Sequence, residues 1–277
     1  MLRDVFGFHP LAVEDSEHFG QRAKIEEYRD FTFLVLFGAA PAPDEDSLVE
    51  VHCFYSERFL VTVRQDEAPA LDQLRELCEA GRLPLDKPIG LLYRVADGLV
   101  DSFFPMLSAL DDRLEDLQAE SLADPSQEQL NELFALRRRL VIVRRAVAPE
   151  RDVFARLLTD VAALPGMTEE SERYFRDVYD HLIRLAEQID GHRDLIAGAM
   201  DLYLSNQSTR LNAVMKQLTV IATIFLPLSF ITGFFGQNFP WLVDHIGGVG
   251  AFVALGIGSE LVALTILLVY FRRRGWF

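Results

Sequence analysis

A long stretch without charged side chains near the C-terminus is the feature that most constrains this chain. No charged residue lies between Lys216 and Asp244. Because a helix needs about 20 apolar residues to cross a bilayer, this stretch is long enough for one crossing. A second apolar run extends from 249 to 271 and contains a single charged residue, Glu260. The sequence therefore predicts two membrane spans, at about 213–235 and 249–271.

One face of the first span differs from the others in composition. Residues spaced by three and four positions share a side of a helix. Small, hydroxyl, amide and apolar residues alternate along this side: Asn212, Met215, Leu218, Ala222, Leu226, Ser229 and Gly233. Such a stripe either packs against other helices, where small residues are common, or lines water. The pattern leaves both interpretations open.

The end of the first span resembles a family signature. Gly236-Gln237-Asn238 follows the span and precedes Pro240. The CorA family of divalent metal cation transporters carries Gly-Met-Asn at this point, so Gln237 replaces the methionine. The preceding segment KQLTVIATIFLPLSFITG also resembles the first membrane helix of the family. The zinc-transporting ZntB branch varies the middle residue as well, and the resemblance therefore implies a divalent cation without selecting one metal.

The resemblance implies a channel for Mg²⁺, with Co²⁺ and Ni²⁺ as further cargo, that assembles as a homopentamer in the lipid bilayer. The first span would line the pore, and the expected pore and selectivity residues are Asn212, Met215, Leu218, Ser229, Gly236, Gln237 and Asn238. Two spans cannot enclose a pore, so a conducting chain must oligomerise. A ZntB-type zinc transporter and a membrane-anchored structural or signalling protein without transport are the alternatives.

The residues before the spans predict an α+β domain. Segments 28–37, 48–55 and 59–64 are rich in aromatic and β-branched residues and are joined by short turns, which indicates antiparallel strands. Apolar residues at helical spacing predict helices over 71–79, 88–122 and 129–158, and one very long helix from 172 to 226. We expect a small, mainly antiparallel sheet packed with long helices in a cytosolic domain and stalk (1–210). The stalk helix would continue into a two-helix transmembrane hairpin (211–277).

Charge and composition narrow the function further. The net charge is −15 although the C-terminal end is basic, so the excess of acidic residues lies before the spans and argues against nucleic-acid binding. Arg272-Arg273-Arg274 predicts a cytosolic C-terminus by the positive-inside tendency. With two spans, both termini would be cytosolic in a protein of the cytoplasmic membrane. We find no nucleophile–base constellation and no glycine-rich phosphate loop, and we expect neither an enzyme nor an organic cofactor.

The resemblance also implies a regulatory Mg²⁺ site. In the family, an acidic pair between neighbouring subunits binds Mg²⁺ and holds the channel shut. The matching motifs are HPLAVED, which ends at Asp15, and YFRDVYD, which contains Asp177. Glu14 and Asp97 match nearby family acids. The alternative interpretation is that Asp15 caps a helix and Asp177 is an exposed stalk residue.

Overall fold

The computed structural model describes residues 2–3, 5–40, 48–82, 87–159, 162, 164–237 and 239–276. The chain divides into two compact units, which we call the N-terminal unit (Met1–Tyr203) and the C-terminal unit (Leu204–Phe277). One helix contributes residues to both units. We describe each unit separately.

A four-stranded antiparallel sheet forms the centre of the N-terminal unit. Its strands are β1 (Lys24–Glu27), β2 (Thr32–Ala39), β3 (Leu48–Tyr55) and β4 (Leu60–Arg64), and they are ordered as in the sequence. The predicted antiparallel sheet is confirmed. The first strand was not predicted, because its residues KIEE contain three charged side chains and only one apolar residue, Ile25, which is buried.

Both faces of the sheet are covered, because all eight residues of β2 are buried. Phe33 and Phe54 lie opposite each other on one face, and Phe8 stacks on Phe54 at a centroid distance of 4.4 Å. On the other face, a Cβ atom at Gly38 would lie only 2.8 Å from Leu99 Cδ2. The absence of a side chain at Gly38 therefore lets a helix pack directly against β2.

Six helices accompany the sheet in the described part of this unit: α1 (Pro10–Glu17), α2 (Pro69–Glu79), α3 (Pro88–Asp101), α4 (Phe103–Ala123), α5 (Gln127–Leu158) and α6 (Glu169–Phe235). The single helix predicted over 88–122 is two helices that meet at Ser102. Pro105 cannot donate a helical backbone hydrogen bond. The Ser102 hydroxyl instead accepts a 2.7 Å hydrogen bond from Ala39 N–H and donates to Leu99 O. This contact ties the junction of α3 and α4 to the sheet.

The long helix α6 supplies core residues to the N-terminal unit before it enters the C-terminal unit. Leu182, Leu185 and Ile189 are at most 1% exposed. These residues are spaced by three and four positions and so share one side of the helix, and the structure places them in the core of their own unit. This side of α6 is therefore occupied within the chain.

The described residues of the C-terminal unit form two long helices and a short one. The first is the remainder of α6 (204–235), and α7 (Pro240–His245) follows it. The second consists of α8 (Val249–Ala251), a π-helical turn (Phe252–Ile257) and α9 (Gly258–Arg273). Both long helices contain an 18-residue window with a mean hydropathy of at least 2.1, and at most 6% of either window is buried. Within the described residues, these two helices are long and apolar enough to span a membrane.

Candidate functional site

The predicted pore residues of the first span lie on an exposed side of α6. Asn212 and Ser229 are exposed, and Met215 and Leu218 are 53% and 59% exposed. Val220, which points to another side of the helix, is only 8% exposed. The chain itself therefore leaves the predicted pore stripe uncovered.

Helix α6 ends immediately before the predicted selectivity segment. The Gly236 N–H donates to Thr232 O at 2.9 Å, and Gln237 N–H donates to Phe234 O at 3.3 Å. A Cβ atom at position 236 would lie 3.1 Å from Thr232 O, which is tighter than most such contacts. Glycine at this position therefore allows the last helical turn to close without strain. Asn238 lies outside the described residues.

Gln237 lines a cavity of about 230 Å³ in the C-terminal unit. The cavity is an open cleft lined by the end of α6, by α7 and by the first half of the second long helix, and most of its lining residues are of apolar types: Phe235, Leu242, Val243, Ile246, Ala251, Phe252, Leu255 and Gly256. Gln237 is the one amide among the described lining residues. Its position against the second apolar helix distinguishes it from a residue in a free loop.

The opposite ends of the two apolar helices also meet. Lys216 Nζ lies 3.4 Å from Gly275 O and 5.7 Å from the centroid of the Trp276 ring. Lys216 precedes the first uncharged run, and Gly275 follows the second. This contact places the start of the first span beside the end of the second, as required for a hairpin that returns to its starting side.

A group of acidic residues and a histidine occupies one side of the N-terminal unit. Ligand atoms of Asp97, Asp177 and His181 lie within 4.8 Å of one another. Asp97 is on α3, whereas Asp177 and His181 are one turn apart on α6. Asp101, one turn after Asp97, places Oδ1 2.9 Å from His181 Nδ1. We call these four residues the acid–histidine cluster.

The cluster has the electrostatics of a cation site. Burial, followed by repulsion from Asp101 and Asp177, raises the pKa of Asp97 despite the opposing effect of His181. Nδ1 of His181 is buried and has no hydrogen bond of good geometry among the described residues, although Asp101 is near. A divalent ion would relieve the repulsion and use this nitrogen. Carboxylates suit Mg²⁺, and an imidazole suits transition metals such as Co²⁺, Ni²⁺ and Zn²⁺.

The other two predicted regulatory acids lie elsewhere in the chain. Asp15 on α1 is half-buried and forms a 2.5 Å ion pair with Lys24, which also contacts Glu26 at 2.9 Å. Burial lowers the pKa of Lys24, but the bonds to Asp15 and Glu26 outweigh it, and the net shift is upward. Glu14 is exposed. Within one chain, neither Glu14 nor Asp15 belongs to the described acid–histidine cluster.

Residues 1–273 match the family described as CorA-like Mg²⁺ transporter protein. The chain belongs to this CorA family. It is 35% identical to the cobalt/magnesium transport protein CorA of Thermotoga maritima, across 99% of this chain and 78% of that protein. It is 30% identical to the zinc transport protein ZntB of an Enterobacter species, across 89% of this chain and 73% of that protein.

The fold agrees with a solved CorA structure. The complete structure of the CorA magnesium transporter from Methanocaldococcus jannaschii superposes with a TM-score of 0.87. The two chains are 26% identical, and the match covers 100% of this chain and 86% of the other. The predicted family and fold class are therefore confirmed. As a CorA-family protein, the chain is a membrane transporter of divalent cations and not an enzyme.

Sequence reasoning found only part of the acid–histidine cluster. It named Asp97 and Asp177, which the structure brings together, but it missed Asp101 and His181. The spacing of these residues could have indicated the cluster. Asp97 and Asp101 are four residues apart, as are Asp177 and His181, so each pair lies on one face of a helix. That spacing indicates two ligand-bearing faces, but it does not show that they meet.

Proposed function

We propose that this CorA-family chain forms a channel in the cytoplasmic membrane that carries Mg²⁺, with Co²⁺ and Ni²⁺ as further cargo. The observation that carries the proposal is the exposed pore stripe on α6, which leads to Gly236 and Gln237. The cobalt/magnesium transport activity named for the Thermotoga relative supports the choice of cargo.

Conduction requires several copies of the chain. Asn212, Met215 and Leu218 are uncovered in the single chain, and two spans cannot surround a water-filled path. A ring of subunits would direct the stripe of each copy toward a shared axis, and family resemblance suggests five copies. In this arrangement the first span lines the pore and the second lies outside it.

The side chains of the stripe suit a hydrated ion. Mg²⁺ gives up its water reluctantly and usually retains several water molecules when bound. Asn212 and Ser229 on the stripe, and Asn238 after it in the sequence, offer neutral oxygen atoms to those water molecules. Met215 and Leu218 would form apolar rings that can close the path by dewetting. The membrane potential would drive entry with about 4.6 kcal/mol for a doubly charged ion at 100 mV.

The same ion would regulate the channel at the acid–histidine cluster. The carboxylate oxygens of Asp97 and Asp177 lie within 4.8 Å of each other, and two full charges at that limit repel by about 3.5 kcal/mol at an effective dielectric constant of 20, before solvent screening of the exposed Asp177 reduces this value. A bound Mg²⁺ replaces the repulsion by attraction. Glu14 and Asp15 of a neighbouring copy would complete the site, and the ion would then compete with Lys24 for Asp15. Loss of the ion would separate the subunits and open the channel.

Both termini of the chain would lie in the cytosol. The arginines at 272–274 follow the second span, and Arg210 and Lys216 precede most of the first. Basic residues at these positions favour the cytosolic side. The contact between Lys216 and Gly275 supports a common side for the two ends.

Ion flux tests the transport proposal. The purified protein in sealed liposomes should admit Mg²⁺ when a potential is applied, and Asn238→Ala should abolish entry while insertion and assembly remain unchanged. Asn206→Ala, a change of the same kind on α6 before the uncharged run, is the matched control for the loss of an amide. Absence of flux through assembled wild-type protein would contradict the channel and favour the membrane anchor.

A zinc transporter is the second candidate, and Gln237 is the observation that favours it. The family methionine is replaced at this position, and ZntB is among the relatives. Comparing Mg²⁺, Co²⁺, Ni²⁺ and Zn²⁺ flux in wild type and in Gln237→Met would separate the two candidates. Zn²⁺ flux well above Mg²⁺ flux in the wild type would replace the magnesium assignment.

Protease protection tests the regulatory site. Mg²⁺ should protect the stalk helix of the wild type from cleavage, and Asp177→Lys should remove much of that protection because an ammonium group then occupies the cluster. Glu187→Lys changes the charge equally at an exposed position of α6 outside the cluster and should retain protection. Equal protection of the wild type and Asp177→Lys would show that Asp177 is not part of the sensor.

A further inference from the structure

A carboxyl group in the second span has a partner on the first. Oγ1 of Thr232 lies 2.7 Å from Oε1 of Glu260, and the two residues are 28 positions apart in the sequence. A charged side chain at the middle of a membrane helix is costly, so such residues usually face protein and mark functional positions. Glu260 is half-buried within its own chain. Its contact with Thr232 provides the polar environment that lipid cannot offer.

The Thr232 hydroxyl can bond Glu260 whether the carboxyl group is ionised or protonated. Its hydroxyl also lies 2.9 Å from Leu228 O, one turn earlier on the same helix. A hydroxyl can donate to a carboxylate or accept from a carboxylic acid. The link between Glu260 and Thr232 therefore does not depend on the protonation state of the carboxyl group.

Thr232 connects this link to the proposed selectivity segment. Its backbone carbonyl accepts the hydrogen bond from Gly236 N–H at 2.9 Å and lies 3.1 Å from the place a Gly236 Cβ would occupy. A continuous path of contacts thus runs from Glu260 through Thr232 to Gly236. Movement of Thr232 would move the turn that presents Gly236 and Gln237.

The backbone of the second helix is irregular just before Glu260. The π-helical turn Phe252–Ile257 is followed directly by α9, and Glu260 is the third residue of α9. A π-bulge adds one residue to a turn and rotates the helix after it by about 100°, and such bulges often occur at functional sites. Phe252, Leu255 and Gly256 of this turn line the cavity that contains Gln237. The turn and Glu260 therefore approach the same end of α6 by separate contacts.

We propose that Glu260 is a positioning residue for ion entry: through Thr232 it fixes the last turn of the first span and so determines where Gly236 and Gln237 meet the arriving ion. This inference rests on the proposed channel function. It assigns a role to an acidic side chain that a simple membrane anchor would not need.

The test measures flux into liposomes over a range of external Mg²⁺ concentrations, so that the half-saturating concentration and the maximal flux are obtained separately. Glu260→Met removes the hydrogen bond and keeps an unbranched side chain. It should raise the half-saturating concentration about threefold, and by up to about 15-fold if the bond is among the strongest in membranes. Glu260→Gln keeps a donor and an acceptor at the same place and should restore a value near the wild type.

Variants on the threonine side complete the test. Thr232→Val should match Glu260→Met, and the double variant should be no worse than either single variant, since all three remove the same bond. Thr265→Val is the control, because the Thr265 hydroxyl bonds only Leu261 O on its own helix among the described contacts. This variant should retain the wild-type flux curve.

The possible outcomes distinguish positioning from general damage. A lower maximal flux with an unchanged half-saturating concentration in Glu260→Met would show fewer intact channels and would overturn the inference. Failure of Glu260→Gln to restore the value, or additive effects in the double variant, would also overturn it. If assembled wild-type protein conducts no ion, the proposed function itself fails, which is separable from all of these results.

Discussion

Replacing the buried Glu150 should remove a pH dependence from the stability of the N-terminal unit. Glu150 follows Pro149 within α5, is fully buried, and accepts a 3.2 Å hydrogen bond from Phe37 N–H on β2. Its Oε2 atom has no hydrogen bond among the described residues. Burial raises the pKa of Glu150 from 4.5 to about 8, and the bond from Phe37 opposes this only in part.

The direction of this pH dependence follows from the number of protons that Glu150 binds in the folded and in the unfolded chain. Between pH 4.5 and pH 8 the folded chain keeps the proton on Glu150 and the unfolded chain releases it. The free energy of unfolding therefore decreases as pH rises through this window and levels off above pH 8. One pKa unit corresponds to about 1.36 kcal/mol. Raising the pH from 5.5 to 7.5 should therefore lower the free energy of unfolding by about 2.5 kcal/mol through Glu150 alone. Glu150→Gln carries no ionisable proton and should lack this contribution.

Hydrogen exchange of β2 measured by mass spectrometry provides the assay. In the wild type, β2 amides should exchange about 70-fold faster at pH 7.5 than at pH 5.5 after correction for intrinsic rates, and this increase should be absent in Glu150→Gln. All other titratable groups are the same in the two proteins, so the difference between their pH dependences isolates Glu150. Peptides from the C-terminal unit are the internal control. Parallel pH slopes in the two proteins would refute the reasoning.

Three further predictions concern packing, metal choice and topology. Gly38→Ala should lower the free energy of unfolding by about 1–3 kcal/mol, because its Cβ would overlap Leu99, and a thermal unfolding midpoint would detect the loss. His181→Ala should raise the concentration of Co²⁺ or Ni²⁺ needed to protect the stalk helix from protease about tenfold more than it raises the concentration of Mg²⁺ needed. Equal increases for all three metals would contradict an imidazole ligand. With Cys53 and Cys78 replaced, Asp244→Cys should react with an impermeant thiol reagent added outside cells, and labelling only from the cytosolic side would reverse the topology.

Much of the C-terminal unit could be predicted because its signals are local. The absence of charge between Lys216 and Asp244 determines a span, and the three-and-four spacing from Asn212 to Gly233 determines its polar stripe. The π-helical turn and α7 were not predicted. Both depend on how a few apolar and glycine residues satisfy their backbone hydrogen bonds, which composition does not reveal.

In the N-terminal unit, the sequence determined the aromatic strands and the long helices. It did not indicate β1, whose charged residues pair with β2 at the edge of the sheet, or the bond that the Ser102 hydroxyl accepts from Ala39 at the junction of α3 and α4. Strand and helix periodicity describe which face is apolar. They do not describe which polar group will find a distant partner.

The candidate sites show the same division. The sequence by itself determined a membrane transporter of divalent cations, the mixed-polarity stripe of the first span and two of the clustered acids, because these follow from residue type and short spacing or from the family motif. Only the tertiary structure joined Asp97 to His181, buried Glu150 beneath Phe37, and set Glu260 against Thr232. Each of these contacts links residues on different elements. Their energies depend on burial and distance, which arise only when those elements pack.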